Sequence, residues 1–209
     1  MEQNKNTNLE EWLKALASDA PAPGGGGASA LAGSCAAALG AMVANLTRGN
    51  RRYEEVRPEM IELAERTEKI SEHLFRLIEE DRLAFLPLAE AYRIPKEEPG
   101  RAEKLESALR TAAGAPMEML KTLATLPPLL SVLLQKGSKL ALSDVGCAAA
   151  LCRGAAESAH LNIQVNTGLM KDRCRAEELE AEADGLLSDT ASACDQLYVS
   201  VRNRLTGAE

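Results

Sequence analysis

The stretch Pro21-Ala22-Pro23-Gly24-Gly25-Gly26-Gly27-Ala28-Ser29-Ala30-Leu31 decides how the rest of the chain is read. Four consecutive glycines are costly inside a helix and more than a turn requires. Yet the residues after them are helical in character, and from Gly24 to Leu46 there is no charged side chain. The pattern predicts a helix from near Gly25 to about Thr47. Its first turn would let bare backbone approach a ligand or a neighbouring helix. Gly25, Ser29, Gly33, Ala37 and Ala41 recur every fourth residue, a stripe suited to close packing against another helix.

Working outward, Asn8 is a plausible cap for a short amphipathic helix through Trp12, with Glu11 at the capping-box position. Beyond the basic break Arg48-Gly49-Asn50-Arg51-Arg52, apolar residues keep helical spacing from about Tyr53 to Tyr92, with a kink expected at Pro87. A loop near Pro95 to Gly100 leads to a fourth helix, Arg101 to Leu126, bent near Pro116. Pro127-Pro128 marks a break before a short helix from Leu129 to Leu134. Ser143 is a favourable cap for a sixth helix, Asp144 to about Gly168. A last helix runs from Asp172 to about Leu205. No segment alternates with period two, and Ala and Leu dominate with few aromatics. The fold class is therefore all-α: one multihelical bundle of long helices over residues 1–209, with its core about 9–205. Such long helices could also extend into a subunit interface.

Composition narrows the function. A net charge of −7 argues against general nucleic-acid binding. Five cysteines without a CxxC pair, and no apolar leader at the N-terminus, point to a reducing, cytoplasmic setting. The cysteines read as small buried apolar residues. Gly24–Leu46 is long enough to span a membrane, but its Gly, Ala and Ser are weakly apolar and no second stretch is evident. A membrane role is therefore not expected.

Several residues could carry chemistry. The glycine run fails the dinucleotide fingerprint, since position 29 is Ser and no strand precedes it, and no Walker lysine follows. It remains either a backbone platform for a flat ligand or a packing device. Helical phase puts Asp81 of Glu79-Glu80-Asp81 near the apolar face, where burial would raise its pKa into a useful range. The alternative is a solvated charge run. Asn162 and Asn166 lie one turn apart and could meet a heterocycle edge or simply sit in the core. Ser143-Asp144 could touch ligand or merely cap a helix. Arg48, Arg51 and Arg52 could hold an anionic tail or form a solvated loop. His73 and His160 are isolated and no metal-ligand spacing appears, so no catalytic metal is expected.

These motifs resemble the cyclodeaminase/cyclohydrolase family of folate enzymes. The likeness rests on Pro21–Gly26 before an Ala/Gly/Leu-rich helix, Leu46-Thr47 before a basic loop, and Asp81 with Ala84-Phe85. It is carried further by Ser143-Asp144 and by Asn162 with Asn166, and it spans roughly Leu9 to Leu205. The family commonly reads PAPGGGSA, so Gly27 stands where relatives carry serine, and Glu79 where they can carry Asp.

The resemblance implies a dimeric all-α enzyme with Asp81 as proton donor and acceptor. The substrate would be a tetrahydrofolate derivative, with no permanently bound cofactor. Substrate contacts would come from Pro23, Gly24, Gly25, Gly26, Ser143, Asp144, Asn162 and Asn166, with Arg48, Arg51 and Arg52 expected at the glutamate tail. The first expectation for the reaction is cyclisation of 5-formiminotetrahydrofolate to the 5,10-methenyl form with loss of ammonia. Methenyltetrahydrofolate cyclohydrolase is the alternative, and a non-catalytic folate-binding dimer is the reading from another class.

Overall fold

The computed structural model describes residues 8–207. Among them are seven α-helices and no strand: α1 Leu9–Leu16, α2 Gly25–Arg48, α3 Arg57–Arg93, α4 Arg101–Ala124, α5 Leu126–Lys136, α6 Leu142–Thr167 and α7 Arg173–Thr206. Short 3₁₀ turns precede α3 (Arg51–Val56) and α6 (Lys139–Ala141).

Helix α2 is the axis of the bundle. Ser29, Gly33, Ala37 and Ala41 are buried, as the four-residue stripe predicts. Gly33 earns its lack of a side chain, because a Cβ there would lie 2.8 Å from Leu123 and 3.2 Å from Leu74. Helix α3 runs antiparallel to α2, tied by reciprocal hydroxyl and carbonyl contacts between Ser34 and Ser71 at 3.0 Å. Helix α6 is also antiparallel to α2. The Ser138 amide donates to Thr47 Oγ1 at 2.9 Å at one end, and Gly25 meets Asn162 at the other. Leucines, methionines and alanines from α2 to α7 fill one main core. A smaller cluster around Leu88, Leu109, Met170 and Ala176 extends it beneath the α6–α7 turn.

The structure revises several sequence expectations. Asn8 caps α1 through the Glu10 amide rather than through a reciprocal box with Glu11. The α4–α5 break falls at Thr125, and Pro127-Pro128 sit in the first turn of α5, where a missing N–H costs nothing. Helix α6 begins before Ser143, with Ala141 at its cap position, so Ser143 is an exposed first-turn residue and not a cap. As the helical spacing predicts, α3 and α4 continue past Pro87 and Pro116. Cys152 and Cys194 are buried, whereas Cys35, Cys147 and Cys174 are exposed. The α4–α5 stretch Arg101–Lys136 also has the length and hydropathy of a membrane span, so α2 is not alone in this. More than half of each such stretch is buried within the fold.

Candidate active site

The start of α2 is clasped by three other helices. Gly24 occupies the cap position and offers no side chain to the free amides of the first turn. Asp81, reaching across from α3, supplies what is missing by accepting from the Gly27 amide. A Cβ at Gly26 would collide with the Asp81 carboxyl. A Cβ at Gly25 would come within 3.1 Å of the Asn162 amide nitrogen. Successive glycines thus admit a carboxyl from α3 and an amide from α6. Gly24 alone has open space around it.

These groups line one cavity of about 160 Å³, closed by Pro21, Ala22, Phe85, Ala112, Pro116, Val165 and Asn166. Among the described residues Asp81 is the only ionisable one in that lining. Burial raises its pKa above the ordinary carboxyl value, and the Gly27 amide opposes the shift without cancelling it. Its neighbours differ. Glu79 is bound to Arg82 by two hydrogen bonds of 2.6 and 2.8 Å, which holds its carboxyl below the usual range, and Glu80 is exposed. Two residues separate a usable acid–base group from a spent one.

The cavity brings together Gly24, Gly25, Gly26, Asp81, Asn162 and Asn166. Pro23 follows a cis Ala22–Pro23 peptide and turns its ring toward Gly27 instead of the cavity. The remaining expected contacts stand elsewhere in the chain. Arg48, Arg51 and Arg52 cluster with Glu54 and Arg57 at the far end of α2, about 35 Å from Gly25 at 1.5 Å per residue. Ser143 and Asp144 lie at that same pole, about 28 Å along α6 from Asn162. Within one chain neither group lines the cavity that holds Asp81. Ala112 and Val165 carried no signal in the sequence, being apolar residues like those of any core, and Pro116 was marked only as a bend.

Gly27 loses its significance as a missing hydroxyl. A side chain there would meet Trp12 at 3.5 Å, Pro23 at 3.6 Å and Ile78 at 3.8 Å, ordinary contacts on the apolar side of α2. Ser29 is buried and donates to the Gly25 carbonyl at 2.8 Å. His160 and His73 pair with Asp184 and Glu118, outside the cavity. Among the described residues no cluster of three metal-ligating side chains occurs.

Comparison with known proteins bears on the chain as a whole. The family model for formiminotransferase-cyclodeaminase matches residues 8–185. The chain belongs to that family. It is 35% identical to a methenyltetrahydrofolate cyclohydrolase from Methylorubrum extorquens, over 96% of this chain and 98% of the relative. A formimidoyltransferase-cyclodeaminase from Mus musculus is 29% identical over 95% of this chain, which spans only 38% of that longer protein. The crystal structure of formiminotetrahydrofolate cyclodeaminase from Thermotoga maritima superposes with a TM-score of 0.82 at 31% identity, covering 98% of both chains. The family member described here is thus a folate one-carbon enzyme of the cyclohydrolase or cyclodeaminase type.

Proposed function

We propose that the chain is a methenyltetrahydrofolate cyclohydrolase in which Asp81 moves the proton. The observation that carries this is a single buried carboxyl, raised in pKa, at the glycine turn of an otherwise uncharged cavity. The relative named for that activity, similar over nearly its whole length, supports the choice of reaction. Ionised Asp81 takes a proton from water as the water oxygen bonds to the methenyl carbon. It then returns that proton to N5 as the carbon–N5 bond breaks, while the new hydroxyl loses its proton to solvent and the 10-formyl group forms. Before the step the methenyl system is cationic, and a fixed carboxylate in a water-poor cavity stabilises it.

The second reading is formiminotetrahydrofolate cyclodeaminase, favoured by the likeness to the Thermotoga maritima enzyme. There Asp81 would take the N10 proton as N10 attacks the formimino carbon and deliver it to the departing ammonia. Two assays separate the readings. Loss of the methenyl chromophore tests hydrolysis, and ammonia release from formiminotetrahydrofolate tests deamination. If the protein neither consumes nor forms that chromophore, both readings fail.

A homodimer is part of the proposal. Helix α2 is free of charge up to Leu46, yet it exposes Cys35, Ala38, Met42 and Leu46, and α6 exposes Ala150, Leu151, Leu161 and Val165. Two long helices with apolar residues on their outer faces, beside the Arg153–Glu157 pair on α6, suit a self-complementary contact with a second copy. Across such a contact Arg48, Arg51 and Arg52, or Ser143 and Asp144, could stand near a ligand at the partner's Asp81 end. Sedimentation of the protein as a monomer at micromolar concentration would contradict this. A dimer that dissociates on Met42→Glu supports it.

A further inference from the structure

The cavity has a polarity that composition alone does not reveal. Asn162 Nδ2 donates to the Ser158 carbonyl at 2.8 Å, and Asn166 Nδ2 donates to the Asn162 carbonyl at 2.7 Å. A main-chain carbonyl can only accept, so these contacts fix which end of each amide faces the helix. Neither Oδ1 has a hydrogen-bond partner among the described residues, and neither is fully sealed. Asn166 is only 8% exposed and lines the cavity. The opposite wall is reversed. The amides of Gly25 and Gly26 have no intrahelical acceptor, while Gly27 is already engaged by Asp81.

We infer that the cavity orients its ligand by reading an amide-type ring edge. Gly25 and Gly26 amides donate to a ring carbonyl, and Asn162 and Asn166 Oδ1 accept from the adjacent ring N–H groups. This rests on the folate reading above and deepens it, because a tetrahydropterin presents a carbonyl beside N–H and amino donors. A volume of about 160 Å³ holds one fused ring system, below the roughly 300–1,000 Å³ of sites that enclose larger ligands. Asn162 and Asn166 are therefore specificity-determining residues for the pterin ring, and Asp81 is kept free for the proton.

The test is a cycle of ring and protein changes, with affinity measured by calorimetry. The ring probes are 6-methyltetrahydropterin and its analogue lacking the 2-amino group. Wild-type protein is expected to bind the amino ring roughly tenfold more tightly, the scale of a buried acceptor left unpaired. Asn166→Leu should bring the two affinities within about twofold. Thermal unfolding checks that each variant is folded, and the Asn162→Leu variant repeats the test if Asn166→Leu is not. Equal binding of both rings by wild type, or an unchanged preference in the Leu variants, overturns the inference. If wild type is indifferent to the amino group while turning over methenyltetrahydrofolate, this inference fails and the folate reading stands. If it neither binds a ring nor turns over that substrate, the folate reading fails first.

Discussion

The two ends of α2 solve opposite problems. At Gly24–Gly27 side chains are absent so that Asp81 and Asn162 can enter from neighbouring helices, and the result is a cavity with one ionisable group. At Arg48–Arg52 long cationic side chains crowd an exposed end with no cavity shared with Asp81. The comparison teaches that a run of small residues can be functional by what it admits. The glycine turn holds protein groups first and leaves ligand the space at Gly24.

The largest effect expected from breaking this contrast is at Gly26. Gly26→Ala pushes a methyl into the Asp81 carboxyl, and turnover should fall by about 10²–10⁴-fold, the range of a lost acid–base group. Steady-state kinetics beside circular dichroism would show whether the loss is catalytic. Gly33→Ala is the packing counterpart in mid-helix. It should cost about 1–3 kcal/mol by overpacking against Leu123 and Leu74, read from denaturant unfolding, with little change in turnover. Gly27→Ala, one residue from Gly26, should go the other way. Its Cβ meets only ordinary contacts, so helix propensity should stabilise the fold by up to about 1 kcal/mol with activity kept. The smallest effect belongs to the far pole. Replacing Arg48, Arg51 and Arg52 with Gln should leave binding of a tetrahydropterin ring without glutamate within about twofold by calorimetry, since exposed charges at long range are screened. A larger loss would show that the two ends do communicate.

Much of the cavity was legible in the sequence because its residues break local rules. Glycines at a helix start, a carboxylate in apolar phase at Asp81, and paired asparagines in an Ala-rich helix each run against propensity. The far pole misled for a related reason. Ser143-Asp144 and the arginines also look purposeful, but a one-dimensional pattern does not say that α2 and α6 run antiparallel at full length. The apolar lining at Ala112 and Val165 was invisible, because small apolar residues look alike whether they face core or cavity. The polarity of Asn162 and Asn166 needed the i−4 carbonyl contacts, which only the folded helix displays.

Asp81→Asn tests the central claim most directly, with turnover of methenyltetrahydrofolate and thermal stability followed across pH. The carboxyl is raised in pKa by folding, so the wild-type fold is fully favoured below the ordinary carboxyl value. It loses stability as pH rises through the raised one. The Asn variant should still bind substrate but lose about 10²–10⁴-fold in turnover. Its melting temperature should gain on wild type as pH rises through that window. An Asn variant with wild-type turnover and an unchanged acid limb in the pH–rate profile would contradict it.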